Sequence, residues 1–505
     1  MKVAYFLDVP QGLGGAGNLL LQQAILMSEI YDVTVIIPTD DNGVPNEEYA
    51  SRCELHNIRY RGIRYQTSYN FSMIDFMEAM NSVTDIEEFT KRERIDFFHS
   101  VQLNLAVEYV SRKLKIPHLM NIYQLPEEEF RICQSDIYPH YHLCDSILYS
   151  ERWKRQLKIE SRCLRPVALQ DSIIFKRTYS AKKLLILMLG AVCVRKNQMA
   201  AIKAVESFVR SGKAELHIAG EAIDGHAEEC IAYVKDQELE KSIIFHGFVS
   251  DIVPLLQSSD CLLCTSTDES FPSSMVEAMT YDLTIISTPV AGVPELFVNK
   301  VNSFISEDFS ERSINKSIQE CFEYYSNGKI YEIHTNAEKT WQENFARGFM
   351  RKELNSYYKE IIADKRYGEL NEYVEIIDNI RSTQALLQNK NNTEILHWVC
   401  RKDFYYNAIQ QGLSGAKMYI WGAGKRGRIA QKILNLLCPS LEIAAFIDQS
   451  KEGCVDNIAI KKPEAISFEK DCFYCISPKD GKYEILQYLK DMGLELHRQV
   501  WFIPF

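Results

Sequence analysis

The sequence predicts an α/β protein in which parallel sheets are wrapped by helices, and three observations point there. Short, almost wholly apolar runs recur along the chain, among them Val33–Pro38, Leu184–Leu189, Cys261–Cys264 and Thr284–Pro289. Such runs read as strands buried on both faces, as parallel sheets require. Two of the strand-like runs lead into glycine loops with the spacing of a dinucleotide-binding turn, at Gly12, Gly14, Gly17 and at Gly422, Gly424, Gly427. Finally, 505 residues exceed one ordinary core, and at about 150 residues per domain the chain divides into roughly three units.

The bulk composition excludes several classes. The chain is 46% hydrophobic and 25% charged, an ordinary globular balance. Its net charge of −11 supplies no basic field, so nucleic acid is not an expected partner. The longest apolar run, Leu184–Val194, has 11 residues, well short of the roughly 20 of a spanning helix. No signal peptide is read at the N-terminus, because Val3–Leu7 passes straight into Asp8 and the glycine loop. A cytoplasmic location is the expectation. Many of the 14 cysteines, including Cys193, Cys261, Cys264, Cys472 and Cys475, sit in apolar runs and read as structural thiols.

The first unit opens with a strand over residues 2–7, the glycine loop, a helix from Asn18 to Glu29 and a strand at Val33–Pro38. The loop lies at the C-terminal strand edge, where open parallel sheets bind ligands. Asp40, 23 positions beyond Gly17, stands near where a ribose-binding acid of a nicotinamide enzyme falls. Further on come a strand at Phe97–Val101, a helix from Leu105 to Lys113 and a strand at His118–Tyr123; His118, alone on its strand, reads as structural.

The second unit begins near Lys182 with the strand Leu184–Leu189, which ends in Gly190 and a basic turn carrying Arg195 and Lys196. A helix at Ala200–Val209 and strands ending at Gly220 and Gly247 follow. After Cys261–Cys264 the stretch Glu269-Ser270-Phe271-Pro272-Ser273-Ser274-Met275-Val276-Glu277 reads as a tight turn and a helix opening. Ser273 and Ser274 fall at the helix start, where unpaired amides and the dipole favour a phosphate. Glu277 lies about one turn into the helix and Glu269 on the loop before it, so two carboxylates flank that phosphate site.

Two glutamates with seven residues between them, after a strand and before a helix, resemble the signature of the glycosyltransferase family 4 (group 1) enzymes. Gly190, Lys196, Gly247 and the Ala291–Glu295 segment follow the same family order. The resemblance implies a GT-B fold of two facing Rossmann-like domains, residues 1–178 for the acceptor and 179–345 for the nucleotide-sugar. Residues 346–412 then form a crossover helix and helical linker, and 413–505 a small Rossmann-like α/β module. The implied reaction is retaining transfer of a sugar from a nucleoside diphosphate to an acceptor hydroxyl, in surface polysaccharide assembly. The nucleoside-diphosphate sugar is a co-substrate, and no cofactor or metal is required.

The family's roles carry over residue by residue. Glu269 contacts the donor sugar, Glu277 the ribose, and Lys196 with Arg195 the diphosphate. The stretch Phe271, Ser273 and Ser274 and the backbone at Gly190 and Gly247 complete the donor site, while Gly14 and Gly15 shape the cleft. Two positions depart from the family: Ala191 stands where an arginine is usual, and Tyr123 where a histidine is usual. Cys144–Ser150 resembles the family's strand ending in serine, with Ser150 capping a basic helix from Glu151 to Ile159. The face with Arg152, Lys154, Arg155, Lys158, Trp153 and Leu157 suits a saccharide or lipid-linked acceptor and a peripheral contact with the inner membrane face.

The tail reads as strand Lys417–Trp421, glycine loop, helix Arg428–Leu437 and strand Ile443–Asp448, with Asp448 placed 21 positions after Gly427 as a ribose acid. It resembles half-Rossmann units appended to sugar-modifying enzymes, which implies nucleotide binding through Gly422, Gly424, Gly427 and Asp448. Two alternatives stay open: a NAD-dependent oxidoreductase or epimerase acting on nucleotide-sugars, and a catalytically silent nucleotide-sugar sensor.

Overall fold

The computed structural model describes residues 1–8, 15–40, 42–67, 81–124, 141–157, 160–177, 183–364, 416–437, 441–469, 471–478, 481–494 and 499–502. Their strands form three sheets. Gly12, Gly14 and all of the helical linker expected over 365–412 lie outside the described residues.

The first sheet collects β1 (Lys2–Phe6), β2 (Asp32–Pro38), β3 (Arg59–Ile63), β4 (Phe97–Val101), β5 (His118–Asn121), β6 (Tyr141–Cys144) and β7 (Glu160–Cys163). Their order is β3-β2-β1-β4-β5-β6-β7, parallel throughout. Helices α1 (Gly15–Met27), α2 (Glu47–Leu55), α3 (Val83–Glu93), α4 (Leu105–Leu114) and α5 (Ile147–Leu157) lie between successive strands. The helix α5 begins four residues before the sequence reading placed it. The strand stops at Cys144, and Ser146, not Ser150, supplies the hydroxyl that accepts the Tyr149 amide at 3.2 Å. Ser150 is a buried residue inside the helix.

The second sheet holds β8 (Leu184–Leu189), β9 (Ala214–Ala219), β10 (Ile243–Gly247), β11 (Cys261–Cys264), β12 (Thr284–Ser287) and β13 (Phe304–Ile305), in the order β10-β9-β8-β11-β12-β13 and again parallel. Between them run α6 (Gln198–Arg210), α7 (His226–Asp236), α8 (Val253–Ser258) and α9 (Ser273–Thr280); α10 (Glu311–Asn327) and α11 (Ile330–Asn344) follow. The order reverses between β8 and β11, so the loops leaving those two strands open the crevice in which such sheets bind ligands. Those loops carry Gly190–Asn197 and Thr265–Pro272.

A final helix, α12 (Arg347–Ala363), returns to the first sheet. Its buried residues Met350, Leu354, Tyr357, Tyr358 and Ile361 form one stripe at helical spacing. Tyr358 stacks on Phe97 with ring centroids 4.3 Å apart. Its hydroxyl meets the Tyr5 hydroxyl at 2.5 Å and His99 Nδ1 at 2.6 Å, and His99 Nε2 meets Asn121 Oδ1 at 2.7 Å. Burial pushes the His99 pKa down to about 3, so the network is neutral. His118 is likewise structural: buried, it meets Ser100 Oγ at 2.7 Å and Glu108 Oε2 at 2.6 Å.

The third sheet comprises β14 (Lys417–Trp421), β15 (Glu442–Ile447), β16 (Cys454–Val455), β17 (Ile458–Lys461), β18 (Cys472–Ile476) and β19 (Val500–Phe502), ordered β16-β17-β15-β14-β18-β19, with only the β16–β17 pair antiparallel. Helices α13 (Lys425–Leu437) and α14 (Lys482–Asp491) complete it. Among the described residues no helix is long and apolar enough to cross a membrane.

Replacing Tyr358 with Phe leaves the stacking intact but removes the hydroxyl from Tyr5 and His99, both buried. The expected loss of stability is about 1–3 kcal/mol, the cost of a buried polar group without its partner. A urea unfolding midpoint unchanged from wild type would show that the network contributes nothing.

Candidate functional site

The site is built at the mouth of β8 and β11. Gly190 ends β8 at φ +119°, a left-handed conformation that a side chain would strain, and the Lys196 side chain lies across it. At Gly220, the end of β9, a Cβ would stand 1.9 Å from the Gly190 carbonyl oxygen, so the two strand ends close on each other only as glycines. The Gly220 amide in turn donates to the Gly247 carbonyl at 2.8 Å, which ties the end of β10 into the same row.

From Gly190 the chain enters a 3₁₀ turn at Val194–Lys196 and reaches Asn197 in the left-handed region, from which α6 starts. The turn is tied to the loop after β11: Thr265 Oγ1 donates to the Lys196 and Asn197 carbonyls at 2.9 and 3.0 Å, and the Thr267 amide to the Arg195 carbonyl at 2.9 Å. This brings Arg195 and Lys196 to one target. Arg195 Nη1 lies 2.6 Å and Lys196 Nζ 2.5 Å from Oε1 of Glu269. Adjacent residues on a turn are expected to diverge; here the tight 3₁₀ geometry lets both side chains converge on one carboxylate.

Helix α9 opens on Pro272, which has no side-chain acceptor with which to cap the helix, so the amides at Ser273 and Ser274 receive no side-chain cap from it. Ser273 and Glu277 line a cavity of about 180 Å³ together with Gln22 of α1 and the segment 166–170. Among the described residues Glu277 accepts no hydrogen bond. Burial pushes its pKa up to about 7, against the pull of Arg52 and then Lys196. Glu277 is therefore a desolvated carboxylate facing open space.

Other expected residues lie elsewhere. Phe271 is 4% exposed and packs with Phe297 and Phe345, ring centroids 6.2 and 5.8 Å away, so its apolar ring belongs to the core rather than the cleft. Gly15 begins α1, and Gly14 lies outside the described residues. Trp153 is 1% exposed, and its indole donates to the Gln124 carbonyl at 2.8 Å; the ring lies inside the unit and not on a lipid-facing surface. Asp40 is taken up by its own turn, accepting the Asn42 and Val44 amides at 2.9 and 2.8 Å.

The first and second sheets meet through groups whose pairing no motif signalled. Glu295 accepts the Ile147 and Leu148 amides at 2.8 and 2.9 Å, so the N-terminus of α5 is filled by a carboxylate of this chain, and Arg165 Nη2 holds the same carboxylate at 2.5 Å. Ser270 donates to the buried Asp145, whose pKa burial pushes up to about 7. The position before an expected helix and the acid after a proline turn were visible in the sequence; their pairing across more than a hundred residues was not.

In the tail, Gly422 takes φ +94° and a Cβ at Gly427 would stand 1.8 Å from the Gly422 carbonyl oxygen, the close helix–strand approach expected of such a loop. Gly424 has the Lys451 ammonium beside it. Asp448 is not free to face a ribose. One oxygen accepts the Ala423 amide at 2.9 Å and the other the Ser450 and Lys451 amides at 2.9 and 3.0 Å, so the carboxylate pins the glycine loop.

Comparison with known proteins follows this geometry. Residues 170–337 match the family described as "Glycosyl transferases group 1". The chain is 27% identical over 166 residues to the N-acetyl-alpha-D-glucosaminyl L-malate synthase of Bacillus anthracis, a match covering 32% of this chain and 41% of that protein. It is 22% identical over 310 residues to the lipopolysaccharide 1,6-galactosyltransferase of Salmonella typhimurium, covering 58% and 82%. Among solved structures, a glycosyltransferase from Rickettsia africae superposes with a TM-score of 0.60 at 16% identity, covering 72% of this chain and 99% of that one. An Anabaena protein in complex with UDP and glucose gives 0.58 at 16% identity, covering 71% and 100%. These superpositions establish a GT-B fold for the first two sheets.

An acid whose pKa is higher in the folded state favours folding while protonated. For Glu277 that contribution is complete below the ordinary value of 4.5 and is lost as pH rises toward about 7. Glu277→Gln cannot ionise, so its thermal midpoint is expected above that of wild type at pH 8, with the gap closing on acidification to about pH 4.5. A gap that does not change with pH would contradict the desolvation of Glu277.

Proposed function

We infer, for a chain whose residues 170–337 belong to the group 1 glycosyl transferases, that the cleft transfers a sugar from a nucleoside diphosphate to a saccharide hydroxyl with retention at the anomeric carbon. The observation that carries this reading is the pairing of Glu269 with both Arg195 and Lys196, beside amides without a side-chain cap and a carboxylate, Glu277, without a hydrogen-bond partner among the described residues.

In this scheme the diphosphate lies on the amides of Ser273 and Ser274 and takes Lys196 and Arg195 as counter-ions, while Glu277 accepts the ribose hydroxyls. Released from the cations, Glu269 turns to the hydroxyls of the transferred sugar. The bond from the anomeric carbon to the diphosphate oxygen breaks, and its electron pair leaves with the phosphate. The acceptor oxygen bonds to the same face of that carbon, and its proton passes to the departing phosphate oxygen. No enzyme nucleophile is used; the rate comes from cations and amides already aimed at the developing charge.

A place in surface polysaccharide assembly is supported by the lipopolysaccharide enzyme among the relatives. The acceptor we assign is saccharide. Burial of Trp153 removes the aromatic residue from the helix face that had suggested a lipid-linked acceptor, while Lys154 and Arg155 stay exposed on it.

Thermal shifts with UDP-, GDP- and ADP-sugars select the donor, since a ligand bound only by the folded state raises the midpoint. With that donor, Lys196→Ala is expected to lower kcat for nucleoside diphosphate release by about 10²–10³-fold, the usual loss when a group that stabilises transition-state charge is removed. An unchanged kcat would remove Lys196 from the site.

A further inference from the structure

Helix α1 is buried along most of its length, but Gly15, Asn18 and Gln22 keep exposed or half-exposed positions on one face at helical spacing. Gln22 lines the same cavity as Ser273 and Glu277 of the second unit. Arg52, on α2, donates from Nη1 to Asn18 Oδ1, one turn before Gln22. The placement of α2 is itself constrained. Tyr49, one turn before Arg52, donates to Asp8 at 2.9 Å, and its hydroxyl stands where a Cβ at Gly17 would be only 1.9 Å away.

Across this opening stands Glu277. Among the described residues Arg52 and Glu277 each lack an ion-pair partner, yet Arg52 is close enough to be the foremost charge acting on the Glu277 carboxylate, ahead of Lys196. Glu277 lines the cavity beside Gln22, Asn18 holds the Arg52 guanidinium one turn from Gln22, and Lys196 stands on the turn that leaves β8. Two cations and one acid borne by the elements around one cleft fit a ligand carrying both anionic oxygens and hydroxyl groups.

We propose that Arg52 is a donor-binding residue contributed by the first unit, its guanidinium pairing with the diphosphate of a nucleotide-sugar seated on Glu277 and the start of α9. This rests on the reading of the cleft as a nucleotide-sugar site. A guanidinium suits the task because it stays charged and presents several N–H donors in a planar fork to phosphate oxygens. The assignment makes donor affinity depend on both units: the diphosphate bridges Lys196 on one wall and Arg52 on the other, whereas the nucleoside alone touches only the second unit.

Calorimetric titration of the full chain tests this, using whichever of UDP, GDP and ADP binds wild type most tightly, and its parent nucleoside. Arg52→Ala is expected to raise the Kd for the nucleoside diphosphate about 10- to 100-fold, the range for losing a charge-assisted hydrogen bond, and to leave the nucleoside Kd within about twofold. Arg52→Gln retains a donor to Asn18 without the charge and is expected to behave as Arg52→Ala, while Arg52→Lys recovers part of the loss. If both Arg52→Ala and Arg52→Gln bind the diphosphate like wild type while Lys196→Ala does not, the inference fails and the cleft reading stands. Equal weakening of nucleoside and diphosphate would make Arg52 a packing residue and overturn the proposal. Wild type that binds none of the three nucleoside diphosphates would overturn the cleft reading, and this inference with it.

Discussion

Carboxylates wholly or partly withdrawn from water are the constraint around which the two-unit cleft is organised. Glu269, Glu277, Asp145 and Glu295 all sit at or beside the junction, and an isolated buried carboxylate is too costly to leave uncompensated. Each is answered differently. Glu269 has two cations, Glu295 has two helix amides and Arg165, and Asp145 has the Ser270 hydroxyl. Glu277 has no hydrogen-bond partner among the described residues and sits where a ligand would complete it. Asp145 and Glu295 tie the two units together, whereas Glu269 and Glu277 are the two acids to which the proposed function gives the ligand.

That economy also explains how the two units are held. The backbone of α12 crosses from the second sheet to the first and fixes itself through Tyr358, whose hydroxyl joins a neutral buried network with Tyr5, His99 and Asn121. On the opposite side Glu295 reaches from the second unit to the first turn of α5. The two ties are of different kinds. The Tyr358 network is closed to water and carries no charge, while the Glu295 contact is ionic and lies near the cleft, where a change in domain spacing would be felt first.

Much of the fold was legible in the sequence because buried parallel strands leave unbroken apolar runs. Leu184–Leu189 and Cys261–Cys264 appear as strands with the expected bounds, and the opening of α9 at Ser273 follows from the proline before it. Lys196 and Glu269 were both read as donor-site residues, but their ion pair was not foreseen; both lie on loops leaving the strands that flank the reversal of sheet order. What stayed hidden depends on distant pairing. Ser150 looked like a cap because serine often is one, but Ser146 took that place when Glu295, far along the chain, supplied the charge for the same helix end. Phe271 sits among the residues read as donor-binding, and only packing against Phe297 and Phe345 reveals it as core. Asp448 has the spacing of a ribose acid, yet its oxygens are spent on backbone amides. Arg52 had no signal at all, being one charged residue on a short polar helix.

The central claim is transfer with retention at the anomeric carbon, and it can be read without knowing the acceptor. Water replaces the acceptor when the full chain is incubated with an α-linked nucleoside-diphosphate hexose alone, and proton NMR records the first-formed free sugar before it mutarotates. The account predicts the α-anomer. First formation of the β-anomer would contradict it.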